Sequence, residues 1–143
     1  MASTALSTST YDFALNESAP AEPEAGRRTR VLVFTLAGRK HCAPLGSVRE
    51  IIALQPMTSL PGAPKQVRGL INLRGSIVTV LDATMAEYGI PASPEFASIL
   101  LVERGSRVAG VVVDLVHDIG VLDEDVAMEA MLDLSALVQM ALA

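Results

Sequence analysis

Apolar positions along this chain fall in short runs of strand length, separated by turn residues. Val31–Leu36 is followed by the turn Ala37-Gly38-Arg39-Lys40, and His41–Pro44 begins a return strand. Leu70–Leu73 and Ile77–Leu81 flank Arg74-Gly75-Ser76, where glycine supplies the positive φ that a tight reversal needs. Ser98–Glu103 and Val108–Val113 flank Gly105-Ser106, and Leu115–Leu122 bends away as a further strand. Strands at this spacing, joined by short turns, predict small β-barrels rather than βαβ units.

The helical signals are brief. Ser47-Val48-Arg49-Glu50 fits a capping box and predicts a short helix, which runs through Ile51–Leu54 into an extended Pro56–Pro64 loop. Lys65–Val67 has room for one helical turn, Ala83–Tyr88 predicts a short helix, and Gly89–Pro94 a loop. Ala127–Leu142 is rich in helix formers and places Met131, Leu134, Leu137 and Val138 on one face. A helix beginning near Glu124 is expected, with Asp123-Glu124-Asp125 suited to its N-terminus.

Composition narrows this picture. The 143 residues favour one domain. Residues 1–26 are rich in Ala, Ser, Thr, Glu and Pro without apolar period and read as a disordered tail, so the folded domain is expected over 27–143. Half the chain is apolar, yet only five residues are aromatic and none is Trp, so branched aliphatic side chains must fill the core. The single cysteine, Cys42, excludes an internal disulfide and is expected as a small buried hydrophobe. No secretory signal or membrane span is evident, and a cytoplasmic location is expected.

Charge is bipolar. Residues 27–107 carry eleven Lys/Arg against five Asp/Glu, whereas residues 108–143 carry seven acids and no Lys/Arg. With so few aromatics to stack on bases, this suits protein partners better than nucleic acid. His41 and His117 have no companion nucleophile or ligand nearby in sequence, and no phosphate loop, nucleophile elbow or paired CxxC occurs. Asp82 and Asp114 each end a strand and are expected to cap or shape turns rather than hold a metal. No catalysis and no cofactor is proposed by these residues. Arg74 stands out instead: an arginine at a hairpin tip can offer several directed bonds to a partner's carboxylates or carbonyls.

The run Val67–Asp82, VRGLINLRGSIVTVLD, resembles the central motif of the CheW family of chemosensory coupling proteins, roughly GxxNLRGxIxPVxDL. Gly69, Asn72, Leu73, Arg74, Gly75, Ile77, Val80 and Asp82 match it, while Thr79 replaces the usual proline and Ala83 the usual leucine. Val31–Leu54 is similar to the family's opening, with His41-Cys42-Ala43-Pro44 in place of Tyr-Ala-Leu-Pro, and Ile99–Leu122 to its second-half strands. The resemblance implies two SH3-like five-stranded barrels. It also implies a shortened second half, since the family has a further strand pair before its closing LLDLxxLL run and this chain passes within a few residues from Asp123-Glu124-Asp125 to Met131–Leu137, which matches that run.

By this resemblance the protein is expected to be a non-catalytic adaptor between chemoreceptors and a CheA-type histidine kinase. Arg74, Val48, Glu50, Gly110 and Val116 fall at receptor-facing positions, and Ile77, Gly75 and Leu73 at positions facing the kinase regulatory domain. The bland readings stay beside these: a cap for Glu50, core for Val48 and Ile77, a close backbone approach for Gly110. A diverged module keeping one interface, self-association through the truncated barrel, and a small ligand-binding barrel remain open.

Overall fold

The computed structural model describes residues 29–122 and 131–142. The strands are β1 (Thr29–Leu36), β2 (Arg39–Pro44), β3 (Val48–Ala53), β4 (Val67–Leu73), β5 (Ser76–Asp82), β6 (Ser98–Arg104), β7 (Arg107–Val113) and β8 (Leu115–Leu122), and all but β3 match strands expected from the sequence. The helices are α1 (Ala83–Tyr88) and α2 (Leu134–Leu142). β1–β2, β4–β5 and β6–β7 are hairpins with two-residue turns, and each turn has positive φ at its first central residue (Ala37, Arg74 and Gly105). Such turns match the right-handed twist of the strands they join.

The strands form a three-stranded sheet, β2-β1-β8, and a five-stranded sheet, β3-β6-β7-β5-β4. The sheets do not divide the chain at its middle. β8 returns to pair with β1, while β6 and β7 insert between β3 and β5. Between the sheets lies the larger core, with Leu32, Phe34, Leu36, Leu81, Leu100, Val111 and, from α2, Leu134, Leu137 and Val138. Ile71, Val78, Val80, Ile99, Leu101 and Val112 fill the other face of the five-stranded sheet. β3 and β4 stand at opposite ends of its strand order, yet Arg74 at the end of β4 meets Glu50 of β3 at 2.7 Å. Thr58, soon after β3, also exchanges two 2.9 Å backbone bonds with Leu70 of β4. The sheet is therefore curled edge to edge around this second core.

One pairing is parallel, β5 with β7, so the chain must cross back between them. Two carboxylates pin the crossover. Asp82, 1% exposed, accepts from Met85 N–H at 3.1 Å, Ala92 N–H at 3.0 Å and the Arg68 guanidinium at 3.1 Å. Asp114 accepts from Thr84 Oγ1 at 2.8 Å, Ser93 N–H at 3.2 Å and Ala37 N–H at 3.0 Å. The expected capping and turn roles are met, since Asp82 is the N-cap of α1.

Two helical expectations give way to strand pairing. Ser47 opens no helix: Leu45–Ser47 is a 3₁₀ turn, and Val48–Ala53 is strand β3 against β6. Ser47 Oγ donates back to the Pro44 carbonyl at 2.7 Å, and β-branched Val48, Ile51 and Ile52 find strand partners that outweigh a weak local capping pattern. At the C-terminus, the expected helix start near Glu124 lies outside the described residues. Met131 is not on the helix face, because it bridges to Cys42 of β2, with Leu132 N–H donating to the Cys42 carbonyl at 2.7 Å. The helix starts at Leu134, where Asp133 Oδ1 accepts from Ala136 N–H at 3.0 Å. The tail over 1–26 also lies outside the described residues.

Asp82→Ala removes the α1 cap and leaves Arg68 and the buried Ala92 N–H unpaired. The expected loss is about 3 kcal/mol in urea unfolding, with the slope unchanged. Cys42 is fully buried beside Met131, with the sulfurs 3.9 Å apart, and burial pushes its thiol pKa up. A thiol reagent at pH 8 is expected to label it only at the rate of unfolding, which stopped-flow labelling across a urea series reads directly.

Candidate functional site

The β4–β5 tip is built against the local rule. Arg74 and Gly75 carry φ of 51° and 90°, a pairing usually given to Asn-Gly. A left-handed conformation costs a non-glycine residue roughly 1–2 kcal/mol. Asn72 Oδ1 supports the turn by accepting from Gly75 N–H at 2.9 Å. Upstream, Gly69 passes so close to the loop after β3 that a Cβ there would lie 2.5 Å from the Thr58 carbonyl oxygen. The asparagine and glycines of the motif thus hold the tip in place, and its arginine is what the tip presents.

Arg74 Nη2 donates to Glu50 Oε1 at 2.7 Å. A bulge at Arg49 makes this contact. Val48 pairs with Val102 and faces the inter-sheet core, whereas Glu50 pairs with Leu101 and shares the other face. Glu50 and Arg74 so sit at the mouth of the curled sheet. The arginine side chain is 65% exposed, and a pair this wet contributes at most about 1 kcal/mol. Its guanidinium remains open to an incoming carboxylate or carbonyl.

Beside it Ile77 is 65% exposed on β5, directly opposite exposed Asn72. The core reading of Ile77 does not hold. Leu73 is half-buried against the second core, and Gly75 is exposed in the turn. The other expected positions do not join this surface. Val48 is core. Gly110 is buried, and a Cβ there would meet Ile99 Cγ2 at 2.8 Å and Val80 Cγ2 at 3.2 Å, so its glycine serves close strand packing. Val116 is half-buried against the inter-sheet core from β8. Sequence reasoning missed Arg68, which a second bulge in β4 turns toward Asp82; the only signal was its place next to Gly69 in the motif.

Among the described residues no cluster of His, Cys, Asp or Glu could hold a metal ion, and no helix is long and apolar enough to cross a membrane. His41 Nε2 lies 2.7 Å from the Tyr88 hydroxyl and His117 Nε2 lies 2.6 Å from Thr35 Oγ1, so each pairs locally within the fold.

A curled five-stranded sheet packed on a smaller one, with an arginine-tipped hairpin at its mouth, defines a CheW-type β fold of two SH3-like subdomains. The CheW-like domain model matches residues 30–141, and the chain belongs to that family. It is 36% identical over 99 residues to the chemotaxis protein CheW of Rhizobium meliloti, covering 67% of this chain and 63% of that protein. It is 31% identical over 122 residues to the protein PilI of Pseudomonas aeruginosa, covering 84% of this chain and 68% of that one. Among solved structures it is similar to the scaffolding protein TtCheW of Thermoanaerobacter tengcongensis, with a TM-score of 0.60 and 32% identity over 68% of this chain and 64% of that one. The chain thus spans a little under two thirds of the length of several relatives it matches.

Arg74→Asn replaces a strained turn residue with a preferred one and removes only an exposed ion pair. Its stability by chemical denaturation is expected within about 1 kcal/mol of the parent, in either direction.

Proposed function

We propose that this protein is a cytoplasmic, non-catalytic adaptor that couples chemoreceptors to a CheA-type histidine kinase. The observation that carries the reading is Arg74, presented at a turn that disfavours it, with Glu50 against it and Ile77 bare beside it. The relatives support the setting: those of Rhizobium meliloti and Klebsiella aerogenes are chemotaxis proteins, and TtCheW is a scaffolding protein.

In this reading the receptor's cytoplasmic tip engages Arg74 and Glu50, while Ile77 and Gly75 meet the kinase regulatory domain. Arg74 leaves Glu50 for a receptor carboxylate or carbonyl at little cost, because the pair is solvated. Val48 and Gly110 act only by holding β3 and β7 in place. Coupling needs no chemistry: a receptor conformation that binds this surface differently shifts the bound kinase between states. Weak contacts suffice where an array holds the partners at high effective concentration.

The test is binding of the purified protein to a receptor-tip fragment and, separately, to the kinase regulatory domain. Parent protein is expected to bind both. Arg74→Glu, folded by circular dichroism, is expected to bind the receptor fragment at least tenfold more weakly. Binding to neither partner by the folded parent protein sinks the reading. A second reading follows from β8, whose outer edge has no strand partner among the described residues. A module that has lost one interface would bind the receptor fragment and not the kinase domain.

A further inference from the structure

β6 and β7 meet at a turn flanked by two arginines. Arg104 and Arg107 are directly opposed in the antiparallel register, both exposed and on the same face. Like charges in that relation repel across a few ångströms and destabilise the hairpin. Arg104 finds partial relief by donating to Gln139 Oε1 of α2 at 2.7 Å, but no contact of that kind reaches Arg107 among the described residues. Arg49, the bulged residue of β3, lies at the same end of the sheet and pairs loosely with Glu103 at 3.8 Å. Among the described residues this broken local rule is compensated only in part, at Arg104, which points to a partner outside the chain for the rest.

Register shows what that reason is near. β5 and β7 are parallel neighbours with Thr79 opposite Ala109, and Ile77 and Arg107 each lie two residues earlier. They therefore emerge on one face of adjacent strands. That face is buried farther along, at Leu81, Val111 and Leu100, and comes into solvent here. Ile77 is thus an exposed apolar residue with arginines along one side.

We infer that Arg107 and Arg104 form the basic rim of the surface centred on Ile77, and that this rim selects a partner whose apolar contact is bordered by carboxylates. The inference rests on the adaptor reading, in which the kinase regulatory domain packs on Ile77. The rim supplies charge complementarity that favours encounter and rejects surfaces lacking the acids. The repulsion between the two arginines is relieved when those acids arrive, so the strain in the free protein favours the complex.

The measurement pairs stability with binding in Arg107→Thr, Arg107→Glu and Arg107→Lys. The first two relieve the repulsion and are expected to raise the thermal midpoint. They are also expected to weaken binding to the kinase regulatory domain, by at least tenfold for Arg107→Glu, while binding to the receptor-tip fragment stays unchanged. Arg107→Lys keeps the charge and is expected to bind within a few-fold of the parent. Parent affinity should fall steeply between 50 and 300 mM salt, as the screening length shortens from about 14 to about 6 Å, and the salt dependence should flatten in Arg107→Thr. Unchanged kinase-domain binding in Arg107→Glu overturns the inference, as does a loss that accompanies lowered stability in all three variants. If the parent itself fails to bind the kinase domain, the adaptor reading falls first, and the rim's partner with it.

Discussion

Asp82 sits where β5 stops, and its buried carboxylate settles three local choices at once. It caps α1, takes up the Arg68 side chain from the bulge in β4, and fixes the loop at Ala92. Two of these bonds hold parts of the crossover that carries the chain from β5 back to β7, and the third ties it to β4. They fix where β5 turns into α1, while the ladder to β7 sets the register from which the β4–β5 hairpin projects at its other end. The tip that presents Arg74 lies at the far end of the seven-residue strand that Asp82 closes. A buried carboxylate is tolerated there because each of its oxygens is given donors, one of them a guanidinium.

Asp114 makes the matching connection on the other side. It follows β7 and ties the β1–β2 turn, α1 and the loop at Ser93 to one point. The two sheets are thus linked by polar bonds at one end and by the shared aliphatic core along their length. Aromatic rings contribute little to that core beyond Phe34. Branched aliphatic side chains and α2 fill it instead, as a chain with so few aromatics requires.

What could be read from the residues alone was whatever depended on neighbours in sequence. Hairpins with glycine turns, the short α1 and the strand-end aspartates all have local causes. The motif around Arg74 was legible because a tight turn constrains its own residues. The bulges at Arg49 and Arg68 were not, since each exists only because a distant strand sets the register. That is why Glu50 read as a cap: its local pattern was genuine, but the partner that outweighed it lies across the sheet. Ile77 was ambiguous for the same reason, because alternation gives two faces without saying where a buried face ends. Likewise no helical pattern could show that Met131 would pair with β2 instead.

The departures from local preference cluster. Arg74 in a left-handed turn, Arg104 opposed to Arg107, and bare Ile77 all lie at one end of the curled sheet, where β4, β6 and β7 meet their turns. The opposite end, built on Asp82 and Asp114, satisfies its polar groups. A fold selected for stability alone would place Asn-Gly at the tip and an acid across from Arg104, and both changes are small. Keeping arginines at both turns sets local preference against the residues present and concentrates solvent-exposed guanidinium donors on a surface that also exposes an aliphatic side chain. Donors held by rigid strands lose little entropy when they meet acceptors. The tightly bonded end therefore holds in order the strands whose other ends carry Arg74, Arg107 and Ile77 into solvent.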